Sequence, residues 1–373
     1  MKKKILFVVN VDWFFTSHRL PLALEAINKG YEVHLACHFL SSSSTLRSYG
    51  IICHEIPFTR SNSNPLDAIS LFQKIYLLFL KVKPSLVHLV TIKPILIGGM
   101  AARILKLPAA IFAISGLGYT FISEGFSANI RRRFIGLLYA AVFRHSNSCV
   151  IFQNTSDQCE LSNLTGLDIK QSLIIPGSGV DIEVFSQNKL PSSPIVVMMA
   201  SRLLRDKGVY EFISAAKKVK IRNQNIKFVL VGSPDLENPS SILPAEVNQW
   251  VTDGSIEYWG HQDDMPATIS KATIVVLPSY REGLPKILIE AAACGRPVIT
   301  TDVPGCRDAI IEKKTGLLVE KRNEKDLADK INYLISNIHM CTTMGAAGRS
   351  LVEEKFSEHL IAKQHMVLYK KLI

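Results

Sequence analysis

The sequence predicts an α/β protein made of two Rossmann-like, doubly wound parallel-sheet domains in tandem, facing each other across a cleft. Three observations predict it. The chain has 373 residues, more than one hydrophobic core ordinarily organises and a fit for two domains of about 150 to 200 residues each. Short apolar runs alternate with amphipathic stretches from end to end, the signature of βα units on parallel sheets. The alternation breaks once, at SQNKLPSSP (186–194), which is polar, contains Pro and has no periodicity, and then starts afresh.

The elements follow in order. In a first domain, 1–185, strands are expected at 4–10 (KILFVVN), 31–37, 51–57, 86–91, 109–115, 149–154 and 172–177. The first connection, SHRLPLALEAINKG, reads as a helix capped by Ser17 and stopped by Gly30. With 186–194 as linker, a second domain, 195–355, repeats the pattern with strands at 195–200 (IVVMMA), 226–232, 256–260, 273–278, 297–301 and 316–319. Residues 356–373 end in HLIAKQHMVLYKKLI, a helix expected to cross back onto the first domain. Doubly wound domains bind ligands at the carboxyl ends of their strands, so the functional loops should lie there.

Composition excludes several classes. Lys and Arg number 43 against 32 Asp and Glu, a formal charge of +11, yet 47% of the residues are hydrophobic and mean hydropathy is +0.19. A chain this apolar buries enough surface to offset its conformational entropy and is not disordered. Its longest apolar segments, around 69–80 and 108–118, are interrupted or fall short of the roughly 18 to 20 residues a membrane span needs. MKKKILFVVN offers too short an apolar run for a secretory signal, so a cytoplasmic protein is expected. The seven cysteines, Cys37, Cys53, Cys149, Cys159, Cys294, Cys306 and Cys341, contain no C-x-x-C pair and mostly read as small core hydrophobes.

The charge is uneven. From Ala68 to Ser156 the only acid is Glu124, against ten bases. The helix pattern ANIRRRFIGLLYAAVFRH sets Arg131, Arg132 and Arg133 beside Phe134, Leu137, Leu138 and Phe143. Basic flanks on an apolar face suit an anionic bilayer surface, or the diphosphate of a polyprenyl-linked acceptor. The competing reading is a solvated face over core-facing apolar residues. Nucleic acid is disfavoured because no recognised nucleic-acid module accompanies the charge.

The densest chemistry lies in LPSYREGLPKILIEAAACGRPVI. A strand ends at Pro278, a loop carries Glu282 and Gly283, and Pro285 stands where a helix begins. Free amides at that start, with the helix dipole behind them, suit an anion such as a diphosphate. Glu282 and Glu290, one on each side, suit neutral hydroxyls rather than the anion itself. After the strand IVVMMA comes SRLLRDKG, whose Arg202 and Lys207 can neutralise a leaving diphosphate without a metal. The first strand ends Asn10-Val11-Asp12-Trp13, with no G-x-G-x-x-G loop, and no Walker lysine loop occurs. A dehydrogenase and phosphoryl transfer from ATP are thereby disfavoured. In His261-Gln-Asp-Asp264 the acids read as caps of the following helix rather than as metal ligands.

In these motifs the sequence resembles the retaining, nucleotide-sugar-dependent glycosyltransferases of family 4, with the GT-B fold, over essentially the whole chain. The family pattern E-G-x-P with a second Glu eight residues after the first is matched by Glu282, Gly283, Pro285 and Glu290, and its diphosphate-binding cations by Arg202 and Lys207. The resemblance implies that Glu282 faces the donor sugar, that Gly283 and Leu284 offer amides, and that Glu290 holds the ribose. Gly232 and Gly260-His261 look like nucleotide-facing loops. The first domain lacks the common Gly-Gly loop and orienting His. Its His18-Arg19-Leu-Pro and its Gly116-Leu-Gly118 turn instead resemble the subgroup of bacterial N-acetylgalactosaminyltransferases acting on undecaprenyl-diphosphate-linked saccharides, and relatives in O-antigen and capsule clusters. Gly116 and Gly118 would then approach donor phosphate or acceptor, with His18 and Arg19 on the acceptor side; strand-to-helix turns and surface charge are the plainer readings.

The resemblance thus implies a UDP-sugar donor, N-acetylgalactosamine or a related hexose as the sugar, a lipid-linked saccharide acceptor, no metal or other cofactor, and a peripheral place on the cytoplasmic face of the inner membrane. Two rivals stand beside it. A sugar-nucleotide epimerase on the same fold would need no acceptor, and a nucleotide-sugar-binding scaffold would bind donor without turnover.

Overall fold

The computed structural model describes residues 2–40, 43–58, 65–118, 121 and 125–373. Among the described residues, thirteen strands form two sheets, and every strand pair is parallel. The first sheet holds β1 (Lys4–Val11), β2 (Glu32–His38), β3 (Ile52–Glu55), β4 (Leu86–Val90), β5 (Ala110–Ala113), β6 (Ser148–Phe152) and β7 (Ser172–Ile174), in the order β3-β2-β1-β4-β5-β6-β7. The second holds β8 (Val196–Ala200), β9 (Lys227–Val231), β10 (Glu257–Gly260), β11 (Ile274–Leu277), β12 (Val298–Thr301) and β13 (Gly316–Val319), in the order β10-β9-β8-β11-β12-β13. The chain divides into two compact units, Met1–Ser178 with Glu358–Ile373, and Gly179–Ser357.

Both sheets read as continuous apolar runs because helices cover both faces. In the first unit, Ile5, Phe7, Leu86 and Val90 pack on one side with Leu22, Ala23 and Ala26 of the helix Leu20–Asn28 and with Ile361, Leu368 and Tyr369 of the C-terminal helix Glu358–Leu372. Leu6, Val8, Val87 and Leu89 pack on the other with Ile75 and Phe79 of Pro65–Val82 and with Tyr139 and Phe143 of Phe126–Phe143. The last helix is fastened to β4 by a hydrogen bond between His88 Nδ1 and the Tyr369 hydroxyl, 2.6 Å.

Two local expectations are corrected. Ser17 caps nothing: it lies inside a helix, Asp12–His18, that starts directly at the end of β1, and the next helix, Leu20–Asn28, follows Arg19 with no side-chain cap. Gly30 does end that helix, at φ +87°. The stretch 186–194, expected to connect the domains, lies inside the second unit. The fully buried Arg296 holds it, donating to the carbonyls of Asn188 (2.8 Å) and Lys189 (3.2 Å) as well as to those of Ile269 and Ser270.

Candidate functional site

In the second sheet the strand order reverses at the pair β8 and β11, where loops leaving adjacent strands part and open a binding position. The loop after β8 ends in the 3-10 turn Arg205–Lys207 and Gly208 at φ +80°. A Cβ on Gly208 would lie 2.1 Å from the carbonyl oxygen of Pro278, so only glycine lets the two loops close together. Asp206 stitches them. Its carbonyl accepts from Tyr280 N (2.8 Å) and Ser279 Oγ (3.1 Å), and its Oδ1 accepts from Ser240 Oγ (2.7 Å). Lys207 Nζ thereby stands 2.5 Å from Glu282 Oε1, with the two side chains 16% and 13% exposed.

Glu282 is held from its other side by the loop after β12. Gly305, at φ +81°, passes so near that a Cβ would meet the carbonyl oxygens of Glu282 and Gly283 at 2.4 and 2.5 Å. The Glu282 amide donates to the Pro304 carbonyl (3.2 Å), and Thr301 Oγ1 donates to the Ser279 carbonyl. Leu284 anchors the loop in the core, and Pro285 is the N-cap of the helix Lys286–Ala293, whose start no side chain caps. One turn in, the buried Glu290 faces Lys286 Nζ at 3.2 Å. Burial pushes the Glu290 carboxyl above its ordinary value, with Lys286 pulling the other way. A cation, an open helix start and two carboxylates within one loop-helix segment can hold an anion flanked by hydroxyls.

Arg202 leaves the same strand end and pairs with Asp235 at 3.0 Å, its side chain 49% exposed. Gly232 and Gly260 meet at the ends of β9 and β10: the Gly232 amide donates to the Gly260 carbonyl (2.8 Å), and a Cβ on Gly232 would fall 1.9 Å from the Ser201 carbonyl oxygen. His261 reaches solvent, 3.4 Å from Asp263. Asp264 caps the helix Met265–Ser270 by accepting from Ala267 N at 2.9 Å. Among the described residues, no group of three His, Cys, Asp or Glu is placed to hold a metal ion. The second-domain residues singled out in the sequence thus gather at one edge of one sheet. What that reading missed is the scaffold: Asp206, Gly208, Ser279, Thr301 and Gly305. The Lys-Gly and Pro-Gly pairs at 207–208 and 304–305 are the signals that mark two of them.

The first unit differs. Gly116 and Gly118 follow β5 with φ +108° and +66°. His18 stacks on Phe14 with ring centroids 4.2 Å apart. Arg19 corrects the expectation of an acceptor-side charge: it is 3% exposed and lies in the core against the C-terminal helix. Burial lowers its pKa to about 10; burial likewise holds His365 down at about 3, with the Arg19 charge adding to it. Arg131 and Arg133 are exposed, whereas Arg132 folds over the Phe121 ring at 5.5 Å. Phe126, Ile130, Phe134 and Leu137 form an exposed stripe on the same helix, while Phe143 is core. Glu124, the lone acid of this stretch, lies outside the described residues.

Three further polar side chains were given no role from the sequence. Asn10 Oδ1, Thr91 Oγ1 and Ser115 Oγ, just past β4 and β5 and at the end of β1, are buried with no hydrogen-bond partner. Their strands are neighbours, β4 pairing with both β1 and β5. Thr91 has φ +71°, a strained conformation for a β-branched residue, of the kind that accumulates at binding sites. A π-helical turn, Pro94–Gly98, follows it.

Residues 181–351 match the family model of glycosyl transferases group 1, and residues 4–154 that of glycosyl transferase 4-like proteins. The chain is 30% identical over 371 residues to the N,N'-diacetylbacillosaminyl-diphospho-undecaprenol alpha-1,3-N-acetylgalactosaminyltransferase of Campylobacter jejuni, covering 95% of each chain. It is 30% identical over 386 residues to the capsular polysaccharide biosynthesis glycosyltransferase CapM of Staphylococcus aureus, covering 100% of this chain and 98% of the relative. Among solved structures, Anabaena HepE in complex with UDP and glucose superposes with a TM-score of 0.77 at 19% identity, over 99% of both chains.

Proposed function

The chain belongs to the family 4 glycosyltransferases of GT-B fold, and from that premise we propose that it is a retaining, metal-independent transferase acting on a lipid-linked saccharide. The donor is a UDP-sugar, with α-linked N-acetylgalactosamine as the specific case. The acceptor is a polyprenyl-diphosphate-linked saccharide in the assembly of a bacterial surface polysaccharide or glycan. The observation that carries the reading is the convergence of Lys207, Glu282, Glu290 and the uncapped helix start at the β8 and β11 strand ends.

Lys207, Arg202 and the free amides at the start of the helix Lys286–Ala293 stabilise the charge of the departing diphosphate, the main catalytic term where no protein nucleophile is in place. Glu282 accepts hydroxyls of the donor sugar and Glu290 those of the ribose. Gly232 and Gly260 let the base lie close to backbone. The acceptor hydroxyl attacks the face the diphosphate leaves, and a leaving phosphate oxygen takes its proton. In the first unit Asn10, Thr91 and Ser115 offer neutral donors and acceptors to saccharide hydroxyls.

No helix among the described residues is long and apolar enough to cross a membrane. The exposed stripe Phe126, Ile130, Phe134 and Leu137 beside Arg131 and Arg133 supports peripheral docking on the anionic inner leaflet at the cytoplasmic face. Vesicle flotation checks it: the protein floats with anionic liposomes at low salt, and Arg131→Ala/Arg133→Ala with Phe134→Ser stays in solution. Thermal-shift titration with UDP, GDP, ADP and CMP, followed by product analysis with donor alone and with a polyprenyl-diphosphate saccharide, tests the activity. Transfer only with acceptor supports the proposal, and sugar conversion by donor alone would replace it with an epimerase.

A further inference from the structure

Each cation at the candidate site is paired with a carboxylate. Lys207 holds Glu282 at 2.5 Å, Arg202 holds Asp235 at 3.0 Å and Lys286 holds Glu290 at 3.2 Å. Of these only Lys207 and Glu282 join two residues with different expected ligands, one the diphosphate and the other the sugar. Both are mostly withdrawn from water, so neither can lose its partner without finding another. Among the described residues no second cation lies within ion-pair distance of Glu282; its backbone is pinned between the loops that carry Asp206 and Gly305, which leaves its side chain to move alone.

We infer that donor recognition is an ion-pair exchange: the diphosphate takes Lys207 away from Glu282, and the carboxylate so released is satisfied only by hydroxyl groups of the transferred sugar. The inference rests on the donor-site reading above. Its consequence is that the two halves of the donor are recognised together. A nucleoside diphosphate without a sugar strands Glu282 beside a bound anion and binds weakly, so spent product leaves readily. A complete nucleotide-sugar compensates both groups.

Calorimetric titration with UDP tests it on four proteins: unmodified, Glu282→Gln, Lys207→Met and the double variant. The exchange predicts that Glu282→Gln, an isosteric change that frees Lys207, tightens UDP roughly fivefold, and that the same change made in Lys207→Met shifts UDP affinity less than about twofold. Towards a UDP-sugar the Glu282→Gln variant loses the preference for donor over UDP. Equal tightening in both backgrounds would mean simple repulsion of the anion by Glu282 and overturn the exchange, as would weaker UDP binding by Glu282→Gln. If Lys207→Met leaves UDP affinity unchanged, the donor-site reading itself fails. On the unmodified protein, a crystal structure with UDP should show Lys207 Nζ on a phosphate oxygen and out of contact with Glu282; a pair still at 2.5 Å beside an ordered diphosphate would overturn the exchange.

Discussion

The carboxyl edges of the two sheets solve the same problem in opposite ways. In the second unit the candidate cations at the strand ends are matched inside the protein, Lys207 with Glu282 and Arg202 with Asp235. In the first unit the strand-end groups Asn10 Oδ1, Thr91 Oγ1 and Ser115 Oγ are neutral and stand without partners. The difference follows from magnitude. A withdrawn neutral oxygen left unpaired costs about 1–3 kcal/mol, which a fold can carry, whereas an unpaired ion in the same place costs far more. An edge that waits for a charged ligand must be neutralised beforehand, and an edge that waits for hydroxyls need not be.

The largest test of this contrast is Lys207→Ala, which should lower turnover by about 10²-fold or more through loss of leaving-group stabilisation. Arg202→Ala, from a side chain half in water, should cost about tenfold, because solvent already screens its charge. Steady-state kinetics that rank the two the other way would break the assignment of the buried pair as the central one. In the first unit, Thr91→Ala should lower kcat/KM for the acceptor about tenfold while leaving donor affinity alone, and should raise the melting temperature slightly as the orphaned hydroxyl is lost. A variant that loses donor and acceptor affinity together would move Thr91 to the donor side.

Glu290 sharpens the comparison through pH. Its carboxyl is raised above the ordinary 4.5 by burial, so the folded chain holds that proton more tightly than the unfolded chain does. Stability from this group is therefore highest below pH 4.5 and is lost as pH rises towards the raised folded value. Glu290→Gln should flatten that decline and stabilise the ligand-free protein at neutral pH, while weakening donor binding. Denaturation across this pH range checks the first and calorimetry the second. At the surface, Arg131→Ala/Arg133→Ala should weaken binding to anionic vesicles by about 2 kcal/mol, at roughly 1 per base.

Much of the architecture was legible because parallel strands covered on both faces read as unbroken apolar runs; VVMMA and LVHLV, buried throughout, admit little else. The second-unit candidate site was legible as a cluster because one loop and the helix after it carry Glu282, Gly283, Pro285 and Glu290 within nine residues. Other features had no local signal. Arg19 looks like a surface charge until the C-terminal helix covers it, and that helix is some 340 residues away in sequence. The polar stretch 186–194 looks free until Arg296, more than 100 residues later, fixes its carbonyls. Thr91 and Ser115 have the composition of ordinary loop residues, since neither a left-handed φ at a threonine nor an unpaired hydroxyl is written in residue type.

The most direct measurement is transfer of labelled sugar from UDP-N-acetylgalactosamine to a polyprenyl-diphosphate-linked saccharide in the presence of EDTA, by the unmodified protein and by Lys207→Ala. The unmodified protein should give an α-linked product, undiminished by EDTA, and the variant about a hundredfold less. Strict dependence on manganese, or equal rates from the two proteins, would contradict this.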